Sequence, residues 1–123
     1  MTGANPKDTI VGGIIAGVLI FAIDMLFGRS VSIDLTTIIL YPLNGILLYY
    51  FFAIFKMPYS GIFSGGFYGI MIFYFTFLVP AVNNGTILTI ALQPAFMQLL
   101  RDILVGLTIY FVNSNIKIIT KLL

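Results

Sequence analysis

Arg101 and Asp102 stand side by side inside an otherwise apolar segment, with Gln98 one helical turn before them. At i, i+3 and i+4, Gln98, Arg101 and Asp102 share one helix face. Placing an arginine or aspartate at the centre of a membrane helix costs about 2.5–3.5 kcal/mol on insertion scales, so such residues face the bundle interior or a wet cavity. Asp24, toward the end of the first apolar segment, is a further ionic group within a span. An ion pair between Asp24 and Arg101 is therefore expected inside the bundle. Two uses fit these four residues, Asp24, Gln98, Arg101 and Asp102. They lock helices together, or they form a site for an ion, proton or polar substrate.

What is missing narrows the chemistry further. The chain has no Glu, His, Cys or Trp, and four Asp are its only acids. Haem and iron–sulfur centres draw on His, Cys, Met or Tyr ligands, and zinc on Cys, His or carboxylates, so no cofactor or metal is expected. The thiol and Ser–His routes of nucleophilic catalysis are absent. An enzyme acting on lipid with Asp and Arg alone is the weakest fit, because acid–base work favours tunable His or Glu. The expectation is a non-enzyme. The net charge of +2 carries no implication of nucleic-acid binding.

The elements that must position these residues follow from solvation. Of 123 residues, 60% are apolar and 8% charged, against about 25% charged in soluble domains. Ten ionic side chains cannot clothe this chain in water, so its outer wall must face lipid. A spanning helix needs about 20 apolar residues. Four qualify, at about 9–27, 35–55, 59–82 and 90–120. The expected fold is an all-α integral membrane four-helix bundle forming a single domain, up-down in topology with short loops. Asp34 is placed to cap the second helix. Lys56-Met57-Pro58 and Asn83-Asn84-Gly85 mark turns. The fourth segment, Thr86 to Val112, would run about 40 Å as one helix. Either it tilts, or Thr86–Gln93 lies at the interface and the span starts near Pro94; the second is preferred. Lys7 and Ile10–Ile23 resemble a signal peptide, yet Asp24 and Phe27-Gly28-Arg29 make a poor cleavage region, so a retained helix is expected. With Lys7, Lys56, Lys117 and Lys121 on one side and Arg29 on the other, both termini are expected in the cytoplasm, across a plasma or cytoplasmic membrane.

Small residues and prolines add detail. Gly13 and Gly17 are four apart on the first helix, as are Gly61, Gly65 and Gly69 on the third. That spacing lets another backbone approach closely, either within the bundle or from a second subunit. Pro42 and Pro94 are candidate kinks whose freed backbone groups, beside Asn44, Gln93 and Gln98, could also build a site. Gly12-Gly13 recurs as Gly65-Gly66 at an offset of 53, and Leu40-Tyr41-Pro42 as Leu92-Gln93-Pro94 at 52. These matches raise a tandem repeat of two parallel hairpins. Asn84-Gly85-Thr86 has the pattern of a glycosylation acceptor. Minimal loops and no catalytic set favour an accessory subunit of a larger membrane complex. The intramembrane ionic residues and paired prolines favour instead a small homo-oligomeric transporter or channel.

Overall fold

The computed structural model describes residues 6–28, 34–55, 60–85 and 92–122. These residues are helical apart from turns: α1 Pro6–Leu26, α2 Leu35–Ile54, α3 Ile62–Phe73, a π-helical turn Tyr74–Leu78, α4 Val79–Asn83, α5 Leu92–Ser114 and α6 Ile116–Leu122. The run Ile62–Asn83 acts as one rod, so four helices are long and apolar enough to cross a membrane. Leucine, isoleucine and phenylalanine cover their outer faces, among them Leu26, Phe63 and Phe75. That is a wall suited to lipid rather than water.

The helix ends obey local chemistry. Pro6 opens α1, where its fixed φ suits a first turn and its missing N–H costs nothing. The helix thus begins half a turn or more before the expected start at residue 9. Asp34 caps α2, accepting from the Thr37 amide at 2.9 Å. The third helix departs from its expected bounds of 59–82. Gly61 has φ +64° and ψ −146°, a backbone state that needs glycine, and sits before the first turn of α3. Nothing lies within 4 Å of where its Cβ would be. Gly61 is therefore a turn residue, not part of a packing stripe with Gly65 and Gly69. Pro80 explains the π-turn. It has no N–H and its ring would strike the carbonyl four residues back, so the turn widens and the Val79 amide reaches Tyr74 O instead. The fourth helix was expected unbroken over 90–120; it is interrupted at Asn115, whose side chain and that of Ser114 bond back to Phe111 O and Tyr110 O at 2.9 Å each. Residues 86–91, and with them Thr86 of the glycosylation pattern, lie outside the described residues.

Two hairpins make the bundle. In the first, Gly13 and Gly17 of α1 clasp Gly45 of α2. A Cβ on Gly45 would run into Gly13 O and the Gly17 backbone. In the second, Gly65 and Gly69 of α3 clasp Gly106 of α5 in the same way. The match extends to neighbours: Gly13 meets Ile46 and Gly17 meets Pro42, while Gly65 meets Leu107 and Gly69 meets Ile103. The chain is thus two hairpins built to one register, with odd helices offset by 52 (13 to 65, 17 to 69) and even helices by 61 (45 to 106). This corrects the sequence alignment of the even helices. Pro42 corresponds to Ile103, not to Pro94, which stands in the first turn of α5. It also moves the odd-helix match from 53 to 52, because Gly13, not Gly12, is the counterpart of Gly65.

The hairpins meet mainly through α1 on α5, with α2 on α5 and α1 on α6 completing the contact. Ala16, Tyr49, Val105, Ile109 and Ile116 are fully buried there. Between α2 and α3 the Tyr68 hydroxyl donates to Leu48 O at 2.7 Å, and its ring stacks at a tilt on Phe52 with centroids 5.3 Å apart. Because that carbonyl keeps its helical partner, Tyr68→Phe is expected to cost only about 0.5–1.5 kcal/mol in detergent unfolding. A larger loss would mean the hydroxyl holds the hairpins together.

Candidate functional site

The structure brings Asp24, Gln98, Arg101 and Asp102 into one cluster. Asp24 projects from the last turns of α1, and the other three from one face of α5, which packs antiparallel on α1. Arg101 grips Asp24 with two nitrogens, Nε to Oδ1 at 2.7 Å and Nη2 to Oδ2 at 3.1 Å. Its Nη1 reaches Oδ1 of Asp102 at 2.9 Å. One guanidinium thus bridges two carboxylates, using the fork geometry that lysine lacks. The Gln98 amide donates to both oxygens of Asp102, at 3.2 and 3.1 Å. Asp24 is 2% exposed and Asp102 0%, so water screens neither.

A fifth member, Tyr41, was not singled out from sequence as part of this cluster. Its hydroxyl donates to Oδ2 of Asp24 at 2.6 Å, and its ring packs edge-on against Phe21, centroids 5.1 Å apart. The position follows from the first glycine clasp. A Cβ on Gly17 would strike Tyr41 O and the Pro42 Cα. The close crossing therefore holds α2 against α1 one to two turns below Asp24, within reach of the phenol. Sequence offered a faint signal, Tyr41 beside Pro42, but nothing that aimed it at Asp24. Gly69 does the parallel service for α5, since its Cβ would lie 2.5 Å from Asp102 O.

Beside the cluster a cleft of about 660 Å³ opens between the hairpins. All four spans line it. Asp24, Tyr41, Asn44, Thr76, Gln98 and Arg101 give it polar surface, and Ile20, Leu47, Phe51 and Phe77 apolar surface. Thr76 and Phe77 belong to the π-turn, so the backbone widening at Pro80 is what presents them. Such turns recur at functional sites because they re-aim side chains out of helical register. The Thr76 hydroxyl donates to Ile72 O at 2.6 Å. Of the candidate kinks, Pro42 lies within α2 where it passes Gly17, and Pro94 stands in the first turn of α5.

A second polar group sits at the other end of the bundle, beside the termini. Lys117 Nζ lies 3.1 Å from Oδ2 of Asp8, an ionic contact without hydrogen-bond alignment. Asn113 donates to the Tyr49 hydroxyl at 3.1 Å, and that ring fills the space a Gly12 Cβ would need. These four side chains come from α1, α2, α5 and α6, so no local spacing in the sequence could have joined them.

Set against known proteins, the chain matches no family model, no curated sequence and no solved structure. The arrangement is a polar, partly aromatic recess bounded by buried charges that are paired with one another.

Proposed function

We propose that this chain is a small membrane carrier that binds a polar solute in the cleft between its two hairpins. The observation that carries the reading is the cleft itself, lined by every span and walled on one side by the Asp24–Arg101–Asp102 cluster. Paired structural repeats with a site between them are what rocking between two accessible states requires. The glycines support it too. Gly13, Gly17, Gly65 and Gly69 are spent inside the chain on Gly45 and Gly106, which withdraws the glycine argument for an external subunit. An accessory role in a larger complex is the second reading, and the broad apolar outer wall favours it. A homo-oligomer formed through that wall fits the carrier.

The test is reconstitution. The full chain, purified alone in mild detergent and placed in liposomes, is expected to admit small polar solutes, measured by osmotic swelling against a solute panel. Thr76→Trp, which fills the cleft, should abolish entry. Co-purification of stoichiometric larger partners, with no entry of any solute, would favour the accessory role and sink the carrier.

The proposed setting is a cytoplasmic membrane with both termini inside, supported by the Lys and Arg distribution. Because the chain lacks cysteine, single introduced thiols report cleanly. Asn84→Cys is expected to react with a membrane-impermeant maleimide on intact cells, and Lys121→Cys only after permeabilisation. The reverse pattern would invert the topology.

A further inference from the structure

We infer that the solute held by the cleft is a small organic cation bearing N–H donors. The inference rests on the carrier reading above and adds the chemical class. Three observations on the cleft wall converge on it.

The first is charge. Asp24, Asp102 and Arg101 sum to a formal charge of −1, two carboxylates on one guanidinium. Nε, Nη1 and Nη2 of Arg101 are all engaged on those carboxylates. Three of the five N–H groups of Arg101 are thus spent on carboxylates that outnumber it, so the formal charge at this wall of the cleft stays negative and favours a cation over an anion. Lys7, Lys117 and Lys121 stand at the opposite end of the bundle, on the start of α1 and on α6. Asp24 is sixteen residues along α1 from Asp8, the partner of Lys117, so about 24 Å of helix separates the two ends. Arg29 and Lys56 lie outside the described residues.

The second is hydrogen-bond polarity. Tyr41 gives its proton to Asp24 and Thr76 gives its proton to Ile72 O. Both hydroxyls therefore face a solute as acceptors only. They give the cleft acceptors that a donor-bearing cation satisfies and a carboxylate cannot use. The third is aromatic surface. Tyr41, Phe51 and Phe77 border the same space, and ring faces attract cations that are weakly hydrated. A volume near 660 Å³ is far larger than a bare metal ion requires, which points to an organic ion.

The test uses three probes of similar size: methylguanidinium, N-methylurea and propionate, which are a cation, a neutral hydrogen-bonding analogue and an anion. Titration calorimetry on the purified full chain should show binding of methylguanidinium and none of the other two at matched concentration. Asn44 faces the cleft without joining the ionic cluster, so it allows the local charge to be changed in both directions. Asn44→Lys should weaken methylguanidinium by about tenfold or more, and Asn44→Asp should tighten it, as a charge placed several ångströms away demands. The two opposite signs separate charge from misfolding. Equal or better binding of N-methylurea or propionate overturns the cation assignment. So does absence of methylguanidinium binding: if the swelling assay still shows solute entry, the cation assignment alone falls, and if entry is also lost, the carrier reading falls with it.

Discussion

Replacing Arg101 by glutamine is expected to destabilise the folded chain by about 3–5 kcal/mol, the range found when one partner of a buried ion pair is removed. The size of the loss comes from what stays behind. Asp24 and Asp102 are 2% and 0% exposed, and each would keep its carboxylate without the guanidinium that compensates it. Tyr41 and Gln98 would still donate to them, but neutral donors offset only part of the desolvation of an anion. The same argument predicts recovery. Asp24→Asn, Arg101→Met and Asp102→Asn together remove the burden with the charges, and that triple variant should return most of the stability. The single variant is then coupled to its partners. Asp24→Asn added to Arg101→Gln should cost much less than the two losses summed. Reversible unfolding of the purified chain in mixed micelles measures all four. The pair near the termini is the internal contrast. Lys117 is 58% exposed on its side chain, so Lys117→Gln should cost no more than about 1 kcal/mol and weaken further in salt. A loss below about 1 kcal/mol for Arg101→Gln would place that pair in the same class and remove the buried lock.

The parts of this molecule that could be read from sequence are those set by solvation and local spacing. Ten charges in 123 residues force a lipid-facing helical wall, and four apolar runs of spanning length set the number of helices. Gln98, Arg101 and Asp102 had to share a face, since helical periodicity alone puts them there. Asp24 was legible as their partner because an ion inside a span has few alternatives. What sequence could not supply was register between helices. Tyr41 joins the cluster only because α2 crosses α1 at Gly17, and a crossing point leaves no periodic trace. The π-turn at Tyr74–Leu78 follows from Pro80, yet a proline there reads equally well as the end of a helix. The repeat was visible but misaligned. Matching Gly12 to Gly65 and Pro42 to Pro94 gave nearly equal offsets of 53 and 52, while the clasps set the odd helices at 52 and the even helices at 61. The difference of nine residues falls between the odd and even helices of the second hairpin, and prolines in apolar segments align by chance more readily than a steric clasp does.

That clasp makes the second large effect predictable. Gly106→Ala is expected to destabilise the chain by about 1–3 kcal/mol, the usual cost of forcing extra volume into a packed interface, and Gly45→Ala by a similar amount. In each case the added methyl meets backbone, the carbonyl of Gly65 or of Gly13 and the amide of the glycine one turn on. A side chain can rotate away from such a contact; a helix backbone cannot, so the two helices must separate along their whole crossing. Gly66 supplies the control from the same segment. No atom lies within 4 Å of its Cβ position, and alanine there should gain up to about 1 kcal/mol through helix propensity. A Cβ on Gly65 would lie 2.8 Å from the Tyr110 Cβ and 3.1 Å from Gly106 O, so Gly65→Ala should also lose stability, and two adjacent glycines responding with opposite signs is what no general intolerance of α3 to substitution would produce. Separation also reaches the cleft. Spreading the first hairpin at Gly45 draws Tyr41 from Asp24, and spreading the second at Gly106 shifts Asp102 away from Gly69. Solute entry should therefore fall in both alanine variants and be retained in Gly66→Ala. If Gly106→Ala proves as benign as Gly66→Ala in unfolding, the close crossing at Gly65 and Gly69 is not what holds the second hairpin, and the shared register of the two hairpins loses its physical basis.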